Sequence, residues 1–399
     1  MLVPNPGALG EQFIIHITPV AWRFSRPFTV DINQGQYKFG AHIIFSKNYA
    51  YKYLTMLKLN QIRTAHVELT TRCNARCPMC MRNYRGYDYN SGYPDVELSL
   101  DQFRHIFAPE LLKQLVGSSL NPDRPIMGIN FNGNLGDFAL AKDGAEIVEY
   151  VVANGVTINI NTNGSLRSPA WWARLALPGV QIGFAIDGLA DTHGLYRQDT
   201  DWNRVIENAQ AYINAGGRAI WRFVPFEHNR HQEAECRALA EKMGFWRFEN
   251  IYDGRDTGPV FTRAGEYSHY LGKNEYADGV PPVKNLLEGH VTWFAVSKDS
   301  IPQDKPNIEY NCKHLKNREI YIAADGSVYP CCFTGFYPKQ MHHAGNAQLK
   351  DLVQENNALE YDLVHCLEWF DRVDETWSKP SITGGRLYTC VTSCGSVPN

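Results

Sequence analysis

No uninterrupted apolar run in this 399-residue sequence is long enough to cross a bilayer, which argues against a membrane-spanning helix. Net charge is nearly absent as well. Lys and Arg total 39 against 42 Asp and Glu, a formal charge of −3, so there is no bulk attraction for nucleic acid or anionic lipid. Neither a nucleic-acid nor a membrane partner is expected. The opening MLVPNPGALGEQF has no basic segment followed by an apolar one, so no signal peptide is expected and the chain reads as cytoplasmic. Internal repeats and low-complexity tracts are also lacking. Cysteine is plentiful: there are 10, in a chain that is 44% hydrophobic and 20% charged. That composition supplies a core, the length suits two or three compact units, and clustered thiols in a reducing compartment point to metal or catalysis rather than disulfides.

From residue 66 to 252 strand-like and helix-like patterns alternate. Strands are predicted at His66–Thr70, Ile126–Phe131, Val156–Asn161, Gln181–Ile186, Arg218–Val224 and Trp246–Ile251. Helices are predicted at Asp101–Leu115, Ala145–Asn154, Pro169–Leu175, Trp202–Ala215 and His231–Met243. Such alternation predicts an α/β fold with a parallel sheet, either doubly wound or a partial barrel. Residues 1–65 read as a small β-rich appendage built on QFIIHIT, PFTVDI and YKFGAHIIF. Residues 253–310, rich in Gly, Pro, Asp and Asn, read as an irregular connection. Residues 311–399 form an irregular α+β segment with one helix expected at Ala347–Phe370.

The first predicted strand runs into Cys73-Asn-Ala-Arg-Cys77-Pro-Met-Cys80. Three thiols in so short a loop converge at low entropic cost. A structural zinc ion usually takes four protein ligands, whereas three thiolates on an iron–sulfur cubane leave one iron open. This C-x3-C-x2-C loop resembles that of the radical S-adenosylmethionine (SAM) superfamily, with Met79 where the family usually has an aromatic residue. The resemblance implies a partial parallel (β/α)6 barrel and a [4Fe–4S] cluster that chelates SAM. It also implies reductive cleavage of SAM to a 5′-deoxyadenosyl radical, which abstracts hydrogen from the substrate. A low-potential donor such as flavodoxin or ferredoxin would supply the electron. A zinc-stabilised, non-catalytic binding protein is the alternative from another class.

Polar, glycine-containing turns follow the next three predicted strands, at the strand ends where parallel α/β folds bind ligands. Gly136-Asp137-Phe138 lies where the family has the Gly-Gly-Glu-Pro segment that cradles the SAM amino group. Asn163-Gly164-Ser165 resembles its Thr-Asn-Gly element near the ribose. The run Asp187…His193…Arg197 resembles its Asp-Gly…His…Arg stretch, which offers Arg197 to the SAM carboxylate. Taken singly, each also reads as a βα turn, which is the preferred reading for Asp187 and an equal one for Asn163.

Cys312 is followed by thirteen residues, Gly326, four residues and Cys331. The intervening EIYIAADGSVYP predicts a hairpin turning at Asp325-Gly326. This spacing resembles the SPASM and Twitch extensions of radical SAM enzymes. It implies one further, auxiliary [4Fe–4S] cluster held by Cys312, Cys331, Cys390 and Cys394, with Cys332 as the substitute ligand; a zinc ribbon is the other reading of these thiols. Cys236 and Cys366 fall on apolar helical stripes as core residues, with Cys366 also a candidate hydrogen donor. After the fifth strand, Glu227 or His228 is placed to take a substrate proton. Tyr84, Tyr87 and Tyr89 are candidates to wall the substrate or shield the cluster. The substrate class implied is a peptide or protein side chain to be crosslinked, epimerised or oxidised. The alternative is dehydrogenation or epimerisation of a small molecule such as an aminocyclitol, sugar or nucleotide.

Overall fold

The computed structural model describes residues 57–396 apart from 89–93, 118–125, 252–257, 273–278, 287–307 and 337–347, and four short strands before residue 57. Two compact units divide the chain, Met1–Met56 and Leu57–Asn399. In the first unit, β1 (Leu2–Pro4) pairs antiparallel with β2 (Phe13–Ile15), and β3 (Tyr37–Phe39) with β4 (Ile43–Phe45). The expected PFTVDI strand lies outside the described residues. The appendage ends at residue 56 rather than 65, because the next unit's first strand begins at Thr64.

The second unit is built on an eight-stranded sheet. Its strands are β5 (Thr64–Val67), β6 (Ile129–Phe131), β7 (Ile158–Thr162), β8 (Val180–Ala185), β9 (Arg218–Phe223) and β10 (Arg247–Asn250), joined by two more from the C-terminal part. Strands β5 to β10 neighbour one another in chain order and are all parallel, the open (β/α)6 partial barrel. Helices lie between them at Leu100–Ile106, Gly144–Ala153, Pro169–Arg174, Trp202–Asn214 and Glu233–Met243. Local signals start several of these helices. Ser99 and Gln102 form a capping box, Ser168 accepts from the Trp171 N–H with Pro169 in the first turn, and Asp201 accepts from Asn203 and Arg204.

Strand register separates two faces. Ala65, Ile129, Ile158 and Val180 share one row, and this face packs against the helices. The alternate residues are polar: Asn130, Asn159 and Gln181 form a side-chain ladder, with Asn159 donating to Asn130 at 2.6 Å and Gln181 to Asn159 at 3.0 Å. Gly183 lies on the same face one row further along, paired with Asn161, and a Cβ there would sit 2.5 Å from Nε of Arg222. A strand set buried on both sides therefore has one oily face and one hydrogen-bonded face.

Three expectations are corrected. The helix Asp101–Leu115 is two pieces, Leu100–Ile106 and Pro109–Leu112, because Ala108 before Pro109 is extended (ψ 155°) and the proline ring forbids continuation. The helix Ala347–Phe370 gives way to Leu363–Leu367 followed by Phe370–Thr376. Upstream, Asn356 and Asn357 donate to the carbonyls of Val328 and Asp325, which draws that segment into pairing with a hairpin, and Asp362 then caps a new start. The connection at 253–310 contains a hairpin, β11 (Gly258–Phe261) with β12 (Tyr267–Leu271).

The C-terminal part opens with β13 (Glu309–Tyr310). The predicted hairpin is β14 (Glu319–Ile322) with β15 (Val328–Tyr329), turning at Gly326 with φ +87°. Strand β14 lies parallel to β5 and continues the barrel sheet. Near the chain end β16 (Gly395–Ser396) pairs antiparallel with β13.

Candidate functional site

Strand β5 leads into the loop of Cys73, Cys77 and Cys80, at the carboxyl end of the parallel sheet. The loop is fixed by its own backbone, with the Cys80 N–H donating to the Cys77 carbonyl at 2.9 Å and Asn83 donating to the same carbonyl at 3.1 Å. Burial raises the Cys73 thiol pKa well above its usual value, and the nearby Asp137, Cys77 and Cys80 raise it further. The Cys73 thiol therefore sits in a low-dielectric setting beside two further thiols, where a thiolate is favoured only when a cation or cluster is bound.

Asp137 organises the wall beside this loop. It is buried, and its carboxylate accepts from the Thr162 hydroxyl at 2.8 Å, the Ala139 N–H at 3.0 Å, and the Asn163 N–H at 2.7 Å. The Asn163 side chain donates to Asp137 at 2.9 Å and to Asn74 at 3.0 Å, and it lies 3.9 Å from the Cys73 sulfur. Ser165 accepts from Asn74 at 2.9 Å and donates to Asn163 at 2.8 Å. Gly164 has φ +71°, which turns the chain between those two side chains. A Cβ on Gly136 would fall 1.6 Å from the Thr70 carbonyl oxygen, so the loop after β6 can lie against the loop after β5 only with glycine there. Burial raises the Asp137 pKa, opposed by these donors and by the Arg197 charge.

Asp187 and Arg197 form the opposite wall. Asp187 is fully buried, accepts from Arg197 Nε at 2.6 Å and from the Val224 N–H at 2.6 Å, and its own N–H donates to His193 at 3.1 Å. Arg197 also points a guanidinium nitrogen at the Cys77 sulfur, 3.6 Å away. Burial alone would lower the Arg197 pKa, but Asp187 and Cys77 more than offset that and hold it charged. In this structure Arg197 is committed to Asp187 and the thiol.

The structure thus gathers Cys73, Cys77, Cys80, Gly136, Asp137, Asn163, Ser165, Asp187 and Arg197 at one end of the sheet. Glu227 is exposed in the loop after β9. Its neighbour His228 is stacked on Phe226 (5.3 Å), which packs on Tyr196, and both its ring nitrogens are buried without a partner. Burial lowers the His228 pKa to about 4. Asn229 pins the loop, donating to the carbonyls of Val224 and Asp187. Cys366 is fully buried in the main core, where its apolar helical stripe places it. Tyr84 packs with Phe261 of the β11–β12 hairpin and pairs with Tyr87 through the backbone, while Tyr89 lies outside the described residues.

Sequence reasoning missed Glu68. It is buried just past β5 and accepts from the Leu135 N–H at 2.6 Å and the Gly136 N–H at 2.9 Å. A carboxylate set in the apolar run before Cys73 was the available signal. It also missed the ion pairs that hold the β11–β12 hairpin to the cysteine loop, in which Arg263 binds Asp88 at 2.9 Å and also Asp199, and Asp199 binds Arg76 at 3.2 Å.

A second thiol group forms where the C-terminal elements meet. Cys312 precedes the helix Lys313–Asn317, Cys331 follows β15, and Cys390 and Cys394 lie on the helix Tyr388–Cys394. Pairing of β13 with β16 closes this ring. Burial pushes the Cys312 thiol up to about 12, with Cys331 and Cys394 contributing, and Cys390 is raised by burial and by all three others. Cys332 and Cys390 both pack against the main core. Among the described residues no group of three or more His, Cys, Asp or Glu closes round a single metal ion. All-thiol sets of three and four fit iron–sulfur clusters by donor chemistry, with Cys77 buried and the other six cysteines partly exposed.

Comparison with known proteins gives matching families and relatives. Residues 67–229 match the radical SAM superfamily, and residues 312–372 match the SPASM iron–sulfur cluster-binding domain. Cys390 and Cys394 lie beyond the second match. A cysteine-type anaerobic sulfatase-maturating enzyme of Clostridium perfringens (strain 13 / Type A) is 22% identical over 318 residues, 72% of this chain and 79% of that protein. The Streptococcus suis protein SuiB bound to S-adenosylmethionine superposes with a TM-score of 0.51 at 15% identity, covering 87% of this chain and 76% of that one. That likeness is one of fold. No helix among the described residues is long and apolar enough to cross a membrane.

Proposed function

Because this chain is a radical SAM protein with a SPASM iron–sulfur domain, we propose that it is a maturase that abstracts hydrogen from a side chain of a peptide or protein. A cluster with SAM bound to it would supply one-electron cleavage of the SAM C–S bond, the electron coming from an external donor, and so the hydrogen-abstracting 5′-deoxyadenosyl group. Cys73, Cys77 and Cys80 would hold that cluster, and Cys312, Cys331, Cys390 and Cys394 the auxiliary one. A flavodoxin or ferredoxin in the cytoplasm would deliver the electron.

The observation that carries the reading is the convergence of the three-thiol loop with the Asp137–Asn163–Ser165 network at one end of the parallel sheet. Asp137 holds Asn163 and Thr162 in place, so the polar wall is preorganised rather than assembled on binding. Gly136 keeps the wall close to the cysteine loop. Arg197 supplies fixed positive charge beside Cys77. Val260 and Leu271 of the clamped β11–β12 hairpin pack in one cluster with Cys77, and Cys73 and Cys80 lie against it. His228, neutral and unpartnered, can exchange a hydrogen bond with a bound molecule at the mouth.

The peptide assignment is supported by the clostridial relative, whose name gives a sulfatase, itself a protein, as what it matures. Co-expression with each small protein encoded beside this chain, followed by intact-mass spectrometry, tests it. A mass change that requires Cys77 supports the peptide reading. Deuterium passing into 5′-deoxyadenosine from a labelled aminocyclitol, sugar or nucleotide, and from none of the peptides, would overturn it in favour of a small molecule.

A further inference from the structure

The loop after β6 that carries Gly136 and Asp137 is held from two directions. From the barrel, one oxygen of Glu68 accepts from the backbone N–H groups of Leu135 and Gly136 at 2.6 and 2.9 Å. From the C-terminal domain, the Tyr321 hydroxyl on β14 donates to the other oxygen of Glu68 at 3.0 Å. Asn134 donates its side-chain N–H across to the Cys332 carbonyl at 2.9 Å. Cys332 directly follows Cys331, one of the four thiols of the second group. The His66 ring meets Tyr321 edge-on at 4.9 Å and contacts the Asn132 carbonyl, which closes the seam. Asn134 therefore meets the C-terminal domain directly, and the residues on either side of it reach Tyr321 of that domain through His66 and Glu68.

These contacts lie in a buried seam, where hydrogen bonds are strong and a missing partner is costly. Glu68 is 1% exposed and Tyr321 is fully buried. A carboxylate that accepts two loop N–H groups on one oxygen and a phenol on the other transmits any shift of β14 to Gly136. The Asn134 contact does the same for the Cys331–Cys332 turn.

We propose that Asn134 and Tyr321, the latter through Glu68, are positioning residues that couple the auxiliary cluster domain to the SAM cradle. This rests on the two-cluster reading above. By linkage, SAM bound at the first site then alters the surroundings of the second cluster, and the second domain's integrity alters SAM affinity by the same factor.

Wild type, Asn134→Ala and Tyr321→Phe are reconstituted anaerobically, their iron is counted, and SAM is titrated while the paramagnetic resonance of both reduced clusters is followed. The expected iron content is roughly eight per chain in all three. SAM affinity is expected to fall about fivefold in each variant, the worth of one buried hydrogen bond. The auxiliary-cluster signal should shift on SAM addition in wild type and stay still in Asn134→Ala, a signature that general destabilisation would not give. Full iron with SAM affinity within about twofold of wild type in both variants, or an auxiliary signal that responds to SAM in Asn134→Ala as in wild type, would overturn the coupling alone. Iron near four per chain in wild type would overturn the two-cluster reading, and the coupling with it.

Discussion

Asp187 carries both stability and placement on a single buried carboxylate. Its two oxygens hold Arg197 and the Val224 N–H, each at 2.6 Å, and so tie the segment after β8 to that after β9. Asp187→Asn keeps an acceptor but leaves the Arg197 guanidinium, only 13% exposed, without its counter-charge. Breaking one partner of such a pair costs roughly 3 kcal/mol, so thermal unfolding should begin well below that of wild type. An unchanged melting curve would mean the pair is idle. His66 gives a pH signature. Burial lowers its pKa from 6.5 to about 4, so between those values the unfolded chain binds a proton that the folded chain refuses. The stability tied to the neutral ring is complete above pH 6.5 and is lost as pH falls towards 4, a loss reaching about 3 kcal/mol. Urea unfolding at about pH 7 and about pH 5 should show a steeper loss for wild type than for His66→Gln, and equal losses would contradict this assignment.

The parallel strands and most of the helices between them were legible in the sequence because they sit between turn residues and several helices carry their own cap, as Ser168-Pro169 and Asp201 do. What was not legible depends on partners distant in the chain. The helix expected at Ala347–Phe370 has helical periodicity, yet Asn356 and Asn357 find hairpin carbonyls at Val328 and Asp325, and those bonds outweigh local propensity. Site residues on single loops, such as Cys73, Cys77 and Cys80, were readable from spacing. Glu68 was not, since its three acceptor contacts come from the loop after β6 and from Tyr321, 253 positions away. The hairpin turn offers a test at this scale. At Gly326, φ is +87° and a Cβ would lie 2.7 Å from Asn357 Oδ1 and from Leu359 Cγ. Gly326→Ala should therefore strain the turn by at least 1–2 kcal/mol and displace Cys331, lowering iron towards roughly four per chain. Full iron in that variant would show that the turn does not set the auxiliary site.

Across the whole molecule, the C-terminal part is not a separate bead: β14 extends the barrel sheet beside β5, and the Asn134 and Tyr321 contacts join the two thiol groups through one seam. A chain so joined suits chemistry in which one centre starts a reaction and another receives or tunes its outcome. The central claim is that Cys73, Cys77 and Cys80 hold a cluster that cleaves SAM. The most direct test is anaerobic reduction of the reconstituted protein in the presence of SAM, with chromatography of the products. The account predicts a brown protein that releases 5′-deoxyadenosine, and loss of that release in Cys77→Ala. A colourless, zinc-loaded protein that forms none would contradict it.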